Sequence, residues 1–236
     1  MTDRESLNQA PLVIKAASLK YRPAMMRDVA RLVGIHEKSF PRFFLTQLGP
    51  KFLRALYAGM IESRHGVVIV AEYNRPGDEL EKVTGLVGFA AGSPNQATLY
   101  RELRNHHLGA FGLAAAIAAV RNPDWTFRLL RAIGRPREAE AMSSPACLMS
   151  IAVDSMSRTN GVGGELVRQF ESKLAALGCS DYCLTTDQEH NGPVRTFYER
   201  LGLSVMRETT TREGRLMLEY YKKIAQGESR AACAES

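Results

Sequence analysis

The stretch SRTNGVGGELV, residues Ser157–Val167, places three glycines and an arginine where a helical pattern begins. Directly before it, CLMSIAVD (Cys147–Asp154) has the apolar composition of a buried strand. After it, apolar residues recur at helical spacing: Leu166, Val167, Phe170, Leu174 and Leu177. A strand, a glycine-rich turn and a helix in this order predict an anion site, because the N–H groups of the first helical turn lack intrahelical partners. The same glycines are also compatible with a tight turn alone.

Two common phosphate-binding loops do not fit this stretch. The P-loop requires lysine and then serine or threonine after its last glycine, but Glu165 and Leu166 follow Gly164. The dinucleotide fingerprint requires a third glycine three positions after Gly163, where Leu166 stands. The turn therefore predicts neither of these nucleotide sites.

The composition indicates one globular domain, because 236 residues with 45% apolar and 24% charged residues suffice for a sizeable core. The net charge of +6 comes from basic residues spread along the chain, so it does not predict a nucleic-acid partner. The cysteines form neither a C-x-x-C pair nor a regular framework: Cys147, Cys179, Cys183 and Cys233. They predict free thiols in a reducing compartment and no metal site. The polar N-terminus and the lack of a long apolar run predict a cytoplasmic protein without a membrane span.

The rest of the chain alternates between strand and helix patterns. Strands are predicted over residues 12–24, 66–73, 82–93 and 181–187, and the second and third of these suit a hairpin. Helices are predicted over 24–40, with Met26, Val29, Val33 and His36 on one face, and over 42–63 with a break near Gly49-Pro50. A short helix over 193–202 and a closing hairpin around Glu213-Gly214 complete the pattern, and Gly178 is the predicted end of the helix after the glycine turn.

One segment stands apart from this alternation. Residues 95–145 are helical and alanine-rich in composition, with an uncharged run from Leu108 to Val120 that is too short to cross a membrane.

Two motifs in register resemble the GNAT N-acetyltransferase superfamily. Arg158-x-x-Gly161-x-Gly163 resembles its acyl-coenzyme A pyrophosphate loop. About thirty residues later, NGPVRTFYERLGL (Asn191–Leu203) resembles its second signature, an asparagine followed by a Phe-Tyr helix and Leu-Gly-Phe or similar. The resemblance covers about Val67 to Tyr221. Thr159 and Asn160 depart from the small or basic residues that usually follow the arginine.

This resemblance implies an α/β fold with a mixed, mostly antiparallel central sheet flanked by helices. Residues 95–145 would be a helical insertion before the coenzyme-binding strand, shaping the acceptor pocket or a lid. The apolar run of the insertion is also compatible with a homodimer interface or with contact to lipid. We expect one domain over residues 12–224, with flexible tails at 1–11 and 225–236.

The resemblance also implies acetyl-CoA or another acyl-CoA as co-substrate, without a metal. The glycine turn would bind the pyrophosphate, and a strand edge would pair with the pantetheine arm. The residues implied to bind the coenzyme are Ile151, Ala152, Val153, Arg158, Thr159, Asn160, Gly161, Val162, Gly163, Gly164 and Asn191. A backbone N–H near Ile151 would stabilise the oxyanion of the tetrahedral intermediate. Arg158 could instead be a solvated surface residue, and Asn191 only a helix-entry residue.

Tyr198 matches the superfamily tyrosine that protonates the departing thiolate. With a phenol pKa of ~10 and a thiol pKa of ~8.5, the proton transfer is uphill by about 2 kcal/mol. The alternative is that Tyr198 packs beside Phe197 as a core aromatic residue.

No single residue is assigned as the general base that an ammonium acceptor requires. His36, Glu37 and Glu72 border the expected acceptor cleft, His106 and His107 lie in the insertion, and a chain of waters is an alternative. Cys147 and Cys183 are expected to pack in strands. Thiol catalysis would need a histidine partner, which the sequence alone does not show.

The expected reaction transfers an acetyl or short acyl group to a primary amine of a small molecule by direct attack in a ternary complex. SFPRFFLTQLGPKFLRALY and GLVGFAAGS, together with the insertion, resemble longer GNAT enzymes that acylate amino sugars, including nucleotide-linked ones. A protein, amino acid, polyamine or aminoglycoside amine stays an alternative acceptor. A non-catalytic acyl-CoA sensor is the alternative from another class.

Overall fold

The computed structural model describes residues 19–41, 43–73, 85–106, 142–155, 160–189, 191–211 and 214–225. The strands are β1 Leu19–Pro23, β2 Val67–Tyr73, β3 Leu86–Ser93, β4 Cys147–Val153, β5 Asp181–Asp187, β6 Ser204–Thr210 and β7 Leu216–Lys223. The helices are α1 Val29–Ser39, α2 Phe44–Gln47, α3 Pro50–Glu62, α4 Gln96–His106, α5 Val162–Ala176 and α6 Gly192–Arg200. The predictions for Arg158, Thr159, the side chain of His106, His107, Cys233, the run 108–120 and residues 1–11 and 226–236 of the tails lie outside the described part of the chain.

The described strands form one sheet in the order β1-β2-β3-β4-β5-β7-β6. Neighbouring strands are antiparallel, except that β4 and β5 are parallel. The predicted hairpin of β2 and β3 and the closing hairpin of β6 and β7 are both confirmed. The sheet is therefore mixed and mostly antiparallel, with helices packed on it, as the sequence predicts.

Helices cover both faces of the sheet because successive strand residues point to opposite sides. One core lies under α1, α3 and α4 and includes Leu32, Ile35, Leu53, Val68, Val70 and Phe89. The other lies under α5 and includes Ile69, Leu148, Leu166, Phe170, Leu184 and Leu218. Residues 68 and 70 of β2 thus belong to one core and residue 69 to the other, which is the alternation of a strand buried on both faces.

The predicted helix boundaries at proline and glycine are confirmed. Pro50 is the first residue of α3 and follows Gly49. After α5, the N–H of Gly178 donates to Ala175 and that of Cys179 to Leu174. The N–H of Gly202 and of Leu203 make the equivalent bonds to Glu199 and Tyr198 after α6. Both helices therefore end in a Schellman motif.

Strand β3 must come very close to its neighbours at Gly92. A Cβ at this position would lie 2.6 Å from Cζ of Phe170 on α5 and would clash with the carbonyl oxygen of Cys147 on β4. Glycine here lets α5 pack directly on the sheet, and α5 is the helix that follows the glycine-rich turn.

We expect Gly92→Ala to lower the free energy of unfolding by about 3 kcal/mol, because an added methyl overpacks this contact. The matched control is Gly34→Ala within α1, where an added Cβ has no atom within 4 Å. That variant should be more stable than the wild type by about 0.5–1 kcal/mol, because alanine favours helix more than glycine does. Urea denaturation of the three proteins measures both changes. Equal stability of the two variants would contradict the close approach at Gly92.

Candidate active site

Strands β4 and β5 separate after one pair of residues. Cys147 faces Cys183 in the parallel register, and the N–H of Cys183 donates to the carbonyl of Ala146 at 2.9 Å. Beyond this pair, no described strand pairs with the β5-facing edge of β4. An opening between two interior strands results, with its narrow end at the two cysteines.

The free backbone groups along this opening belong to Ile151 and Val153. The N–H of Asp154 donates to the carbonyl of Val87 on β3 at 2.7 Å. Because hydrogen-bonding direction alternates along an antiparallel strand, Ala152 also faces β3, while Ile151 and Val153 face the opening. The backbone of Ala152 is paired opposite Phe89 on β3.

A β-bulge lies where β4 approaches the narrow end. Ser150 pairs with Ala91 and Leu148 pairs with Gly92, so Met149 is an extra residue with no partner on β3. Bulges re-aim side chains and interrupt pairing, and they are frequent beside active sites.

A cavity of about 140 Å³ lies at the narrow end of the opening. Its described wall comes from α2, α3 and α4 on one side and from β4 and β5 on the other. The wall includes the polar groups of Tyr57, Ser150 and Thr185 and the thiol-bearing Cys147, and no Asp, Glu, Lys or Arg among the described residues. The space suits a small group without charge.

Tyr57 and His36 form a buried pair beside this cavity. His36 Nδ1 lies 2.7 Å from the hydroxyl oxygen of Tyr57, and each residue is 1% exposed. Burial raises the pKa of Tyr57, and its interaction with Ser150 opposes this effect more weakly. Burial also lowers the pKa of His36 to about 4, so the imidazole is neutral near pH 7.

Tyr198 contributes both a core ring and an unpaired hydroxyl. It is 7% exposed and packs against Phe197 and Tyr220, with ring centroids 5.2 Å and 5.7 Å away. Burial, with contributions from Cys147 and Tyr220, raises its pKa to about 12. Within the described part of the chain, this hydroxyl has no hydrogen-bond partner.

The raised pKa changes the energetics of proton donation by Tyr198. A phenol of pKa about 12 and a free thiol of pKa ~8.5 differ by about 5 kcal/mol instead of about 2. A thiolate formed in the same buried opening also loses hydration, which raises its basicity and offsets part of this difference.

The glycines of the turn have two different structural roles. Gly161 precedes α5 with φ of +87°, a conformation that glycine adopts without a Cβ penalty. A Cβ on Gly163 would lie 3.3 Å from the Phe197 ring, and one on Gly164 would lie 3.6 Å from Leu201. Gly163 therefore lets α6, the helix that carries Tyr198, come close to the first turn of α5, whereas the distance at Gly164 is that of an ordinary van der Waals contact.

The first turn of α5 still presents free N–H groups. The helix begins at Val162, and the first intrahelical bond runs from the N–H of Glu165 to the carbonyl of Gly161. The N–H groups of Val162, Gly163 and Gly164 thus have no partner within the helix. Asn160 and Gly161 are exposed beside them.

Asn191 joins the start of α6 to the end of β5. Its amide nitrogen donates to Thr186 Oγ1 at 2.6 Å and to the carbonyl of Asp187 at 3.1 Å. Although Asn191 occupies the N-cap position, its side chain makes no capping bond. These bonds use both amide hydrogens, so the side-chain oxygen of Asn191 is able to accept a hydrogen bond from a ligand.

The three candidate bases lie in different surroundings. Glu72 on β2 pairs with Arg22 and does not line the described cavity wall. Glu37 is half-buried on α1 and is also not in that wall. His36 reaches the cavity indirectly through Tyr57, a residue that the sequence does not single out because it continues the apolar stripe of α3.

A model of the acetyltransferase (GNAT) family matches residues 30–203. The chain belongs to the GNAT family. It is therefore an acetyltransferase, and the resemblance of its two motifs to this family is confirmed. Among curated proteins, no sequence matches this GNAT chain.

Solved structures show the same fold. SsHAT has 19% identity and a TM-score of 0.59, with 88% of this chain and 99% of that chain covered. A protein of Desulfovibrio desulfuricans, described as a GNAT acetyltransferase, has 15% identity and a TM-score of 0.55, with 88% and 99% covered. Salmonella typhimurium yncA, solved with its cofactor acetyl-CoA, has 12% identity and a TM-score of 0.53, with 92% and 99% covered.

Two further findings concern the described residues of this GNAT enzyme. None of their helices has the length and apolar character needed to cross a membrane. They also contain no group of three or more His, Cys, Asp or Glu side chains placed to hold a metal ion.

The buried His36 should make the stability of the enzyme depend on pH. Its pKa is 6.5 when unfolded and about 4 when folded, so the unfolded chain binds the proton first as the pH falls. We expect the free energy of unfolding to decrease by about 2 kcal/mol between pH 7 and pH 5 from this residue alone. Urea denaturation of wild type and His36→Asn at both pH values measures the difference. Identical pH dependence of the two proteins would show that His36 is solvated.

Proposed function

We propose that this GNAT acetyltransferase transfers the acetyl group of acetyl-CoA to a primary amine of a small molecule, by direct attack in a ternary complex. The observation that carries the proposal is the opening between β4 and β5. It extends from the cavity at its narrow end, along the free backbone of Ile151 and Val153, toward the glycine turn at the start of α5. The acetyl-CoA named as the cofactor of yncA supports this donor.

The coenzyme would use three surfaces of this opening. The N–H groups of Val162, Gly163 and Gly164 and the positive end of the α5 dipole would bind the pyrophosphate. Arg158, Thr159, Asn160 and Gly161 would complete that loop. The amides of the pantetheine arm would pair with Ile151 and Val153 like an added strand, and the side-chain oxygen of Asn191 could accept another amide hydrogen. An acetyl or short acyl group fits the cavity of about 140 Å³.

The reaction then requires one bond to form and one to break. The neutral amine attacks the thioester carbon, and the N–H of Ile151 donates to the oxygen that becomes negative. The C–S bond breaks as the carbonyl re-forms, and Tyr198 donates its proton to the departing sulfur. The nitrogen loses one proton to solvent, and solvent returns a proton to the Tyr198 phenolate, so the net products are an amide and free coenzyme A. Because the Tyr198 hydroxyl has no partner in the described residues, it is available to donate.

The acceptor we favour is an amino sugar or a nucleotide-linked amino sugar. The hydroxyls of Tyr57, Ser150 and Thr185 in the cavity wall can hydrogen-bond sugar hydroxyls, and no charged side chain of the described wall would select an acidic amine. We also propose that residues 12–224 form a single domain and that residues 95–145 shape the acceptor pocket or a lid. The protein would be cytoplasmic and could form a homodimer.

Release of free thiol from acetyl-CoA tests the function directly. The amines to compare are glucosamine, a nucleotide-linked amino sugar, kanamycin, spermidine, lysine and a peptide with a free N-terminus. Turnover with an amino sugar supports the proposed acceptor, and turnover only with another amine replaces it. Binding of acetyl-CoA without thiol release for any amine would favour the sensor.

We expect Gly161→Ala to weaken acetyl-CoA binding about tenfold, the equivalent of about 1.4 kcal/mol, because alanine disfavours φ of +87° and the turn amides shift. Gly178→Ala is the matched control, since Gly178 has φ of +82° at the far end of α5 and an added Cβ meets no atom within 4 Å at either position. Calorimetric titration with acetyl-CoA compares the two. Both variants should lose similar stability, and equal affinities would contradict binding at the turn.

We expect Tyr198→Phe to lower kcat at least about 100-fold, because the leaving thiolate loses its proton donor. The KM for acetyl-CoA should stay within about twofold of the wild type, since the ring still packs in the core. Tyr220→Phe is the control, because its hydroxyl bonds to Glu199 at 3.1 Å and its ring neighbours Tyr198. Thiol release measures all three proteins. Wild-type kcat in Tyr198→Phe would leave Tyr198 with only a packing role.

A further inference from the structure

Tyr57 lines the cavity at the narrow end of the opening from the side of α3. It lines the cavity together with Ser150 of β4. Ser150 directly precedes Ile151, whose N–H is proposed above to bind the thioester oxygen. The α3 side of the cavity is thus the side from which an acceptor can approach without crossing the coenzyme.

The hydroxyl of Tyr57 is held in one place. His36 Nδ1 lies 2.7 Å from its oxygen, and the ring makes edge contacts with His36 and Phe89 at centroid distances of 5.7 Å and 5.4 Å. With 1% exposure, the ring has no room for another rotamer. A fixed hydroxyl can direct a ligand, because little entropy is lost when the ligand binds.

His36 is a costly residue for a purely structural position. Its Nε2 is buried and has no hydrogen-bond partner among the described residues, although α1 places it in the apolar core. An apolar side chain would fill this space without leaving a polar atom unpaired. The one hydrogen bond of the His36 side chain in the described structure is the bond to Tyr57.

We propose that the hydroxyl oxygen of Tyr57 accepts a hydrogen bond from the attacking amine, and that His36 positions this hydroxyl. The inference rests on the proposed function, because it takes the acceptor amine to enter this cavity. A neutral amine must point its lone pair at the thioester carbon, so its N–H groups point away and need acceptors. Tyr57 supplies one acceptor, and His36, buried and neutral, acts only through Tyr57.

The first test is Tyr57→Phe, assayed with the best acceptor of the amine panel. We expect the KM for the amine to rise about tenfold, while the KM for acetyl-CoA stays within about twofold. Tyr182→Phe is the matched control, because Tyr182 is equally buried but donates to Glu171 in the other core. It should change neither KM. An unchanged KM for the amine in Tyr57→Phe, or equal rises for both substrates, overturns the proposal.

The role of His36 is tested by a double-mutant cycle. His36→Leu should raise the KM for the amine about as much as Tyr57→Phe, and the two changes together should cause no further rise. His36→Asn retains a hydrogen-bonding atom near the position of Nδ1 and should stay within about threefold of the wild type. Thermal melting confirms that each variant is folded. If His36→Leu does not fold, the asparagine variant and Tyr57→Phe still decide the question.

If the KM for the amine rises in the double variant by the product of the two single effects, His36 does not act through Tyr57. The same conclusion follows if His36→Asn raises this KM as much as Tyr57→Phe does. If no amine of the panel is acetylated while acetyl-CoA binds, the proposed function fails and this inference fails with it. If amines are acetylated and Tyr57→Phe behaves as the wild type, only this inference fails.

Discussion

The separation of β4 and β5 after a single residue pair is the constraint on which the rest of the site depends. Buried backbone groups in an interior strand need hydrogen-bond partners, and β3 satisfies only those on one side of β4. Ile151 and Val153 present theirs to the opening. A ligand with amides of its own would satisfy this requirement, as the pantetheine arm of the proposed coenzyme does.

The two sequence motifs of the family meet in one contact between helices. Gly163 allows the Phe197 ring to approach the first turn of α5. This contact fixes α6, and therefore Tyr198, relative to the turn proposed to bind the pyrophosphate. The Phe-Tyr pair thus combines a residue for packing with a neighbour for chemistry, and Tyr198 serves both the core and the proposed proton transfer.

Local patterns predicted the elements well and the site only in part. The described strands and helices, the hairpins and the helix ends at Gly178 and Gly202 follow from periodicity and from glycine and proline. Long-range contacts were not predictable in this way. Glu72 was a candidate base because no local pattern shows that it pairs with Arg22, which lies fifty residues away in the chain. Tyr57 was missed because its position in an apolar stripe does not show that it lines a cavity or that its hydroxyl bonds to His36.

The extra residue Met149 determines which side chains of β4 point toward α3 and which point toward α5. Leu148, Ile151 and Val153 belong to the core under α5, whereas Met149, Ser150 and Ala152 lie on the side of α3. Met149 and Ser150 therefore point the same way, which a regular pleat forbids. The bulge shifts the alternation of side chains by one residue. Without it, the Ser150 hydroxyl would point to the opposite face of the sheet, away from Tyr57. One inserted residue thus lets a single strand present its main chain to the proposed coenzyme site and the Ser150 side chain to the proposed acceptor pocket.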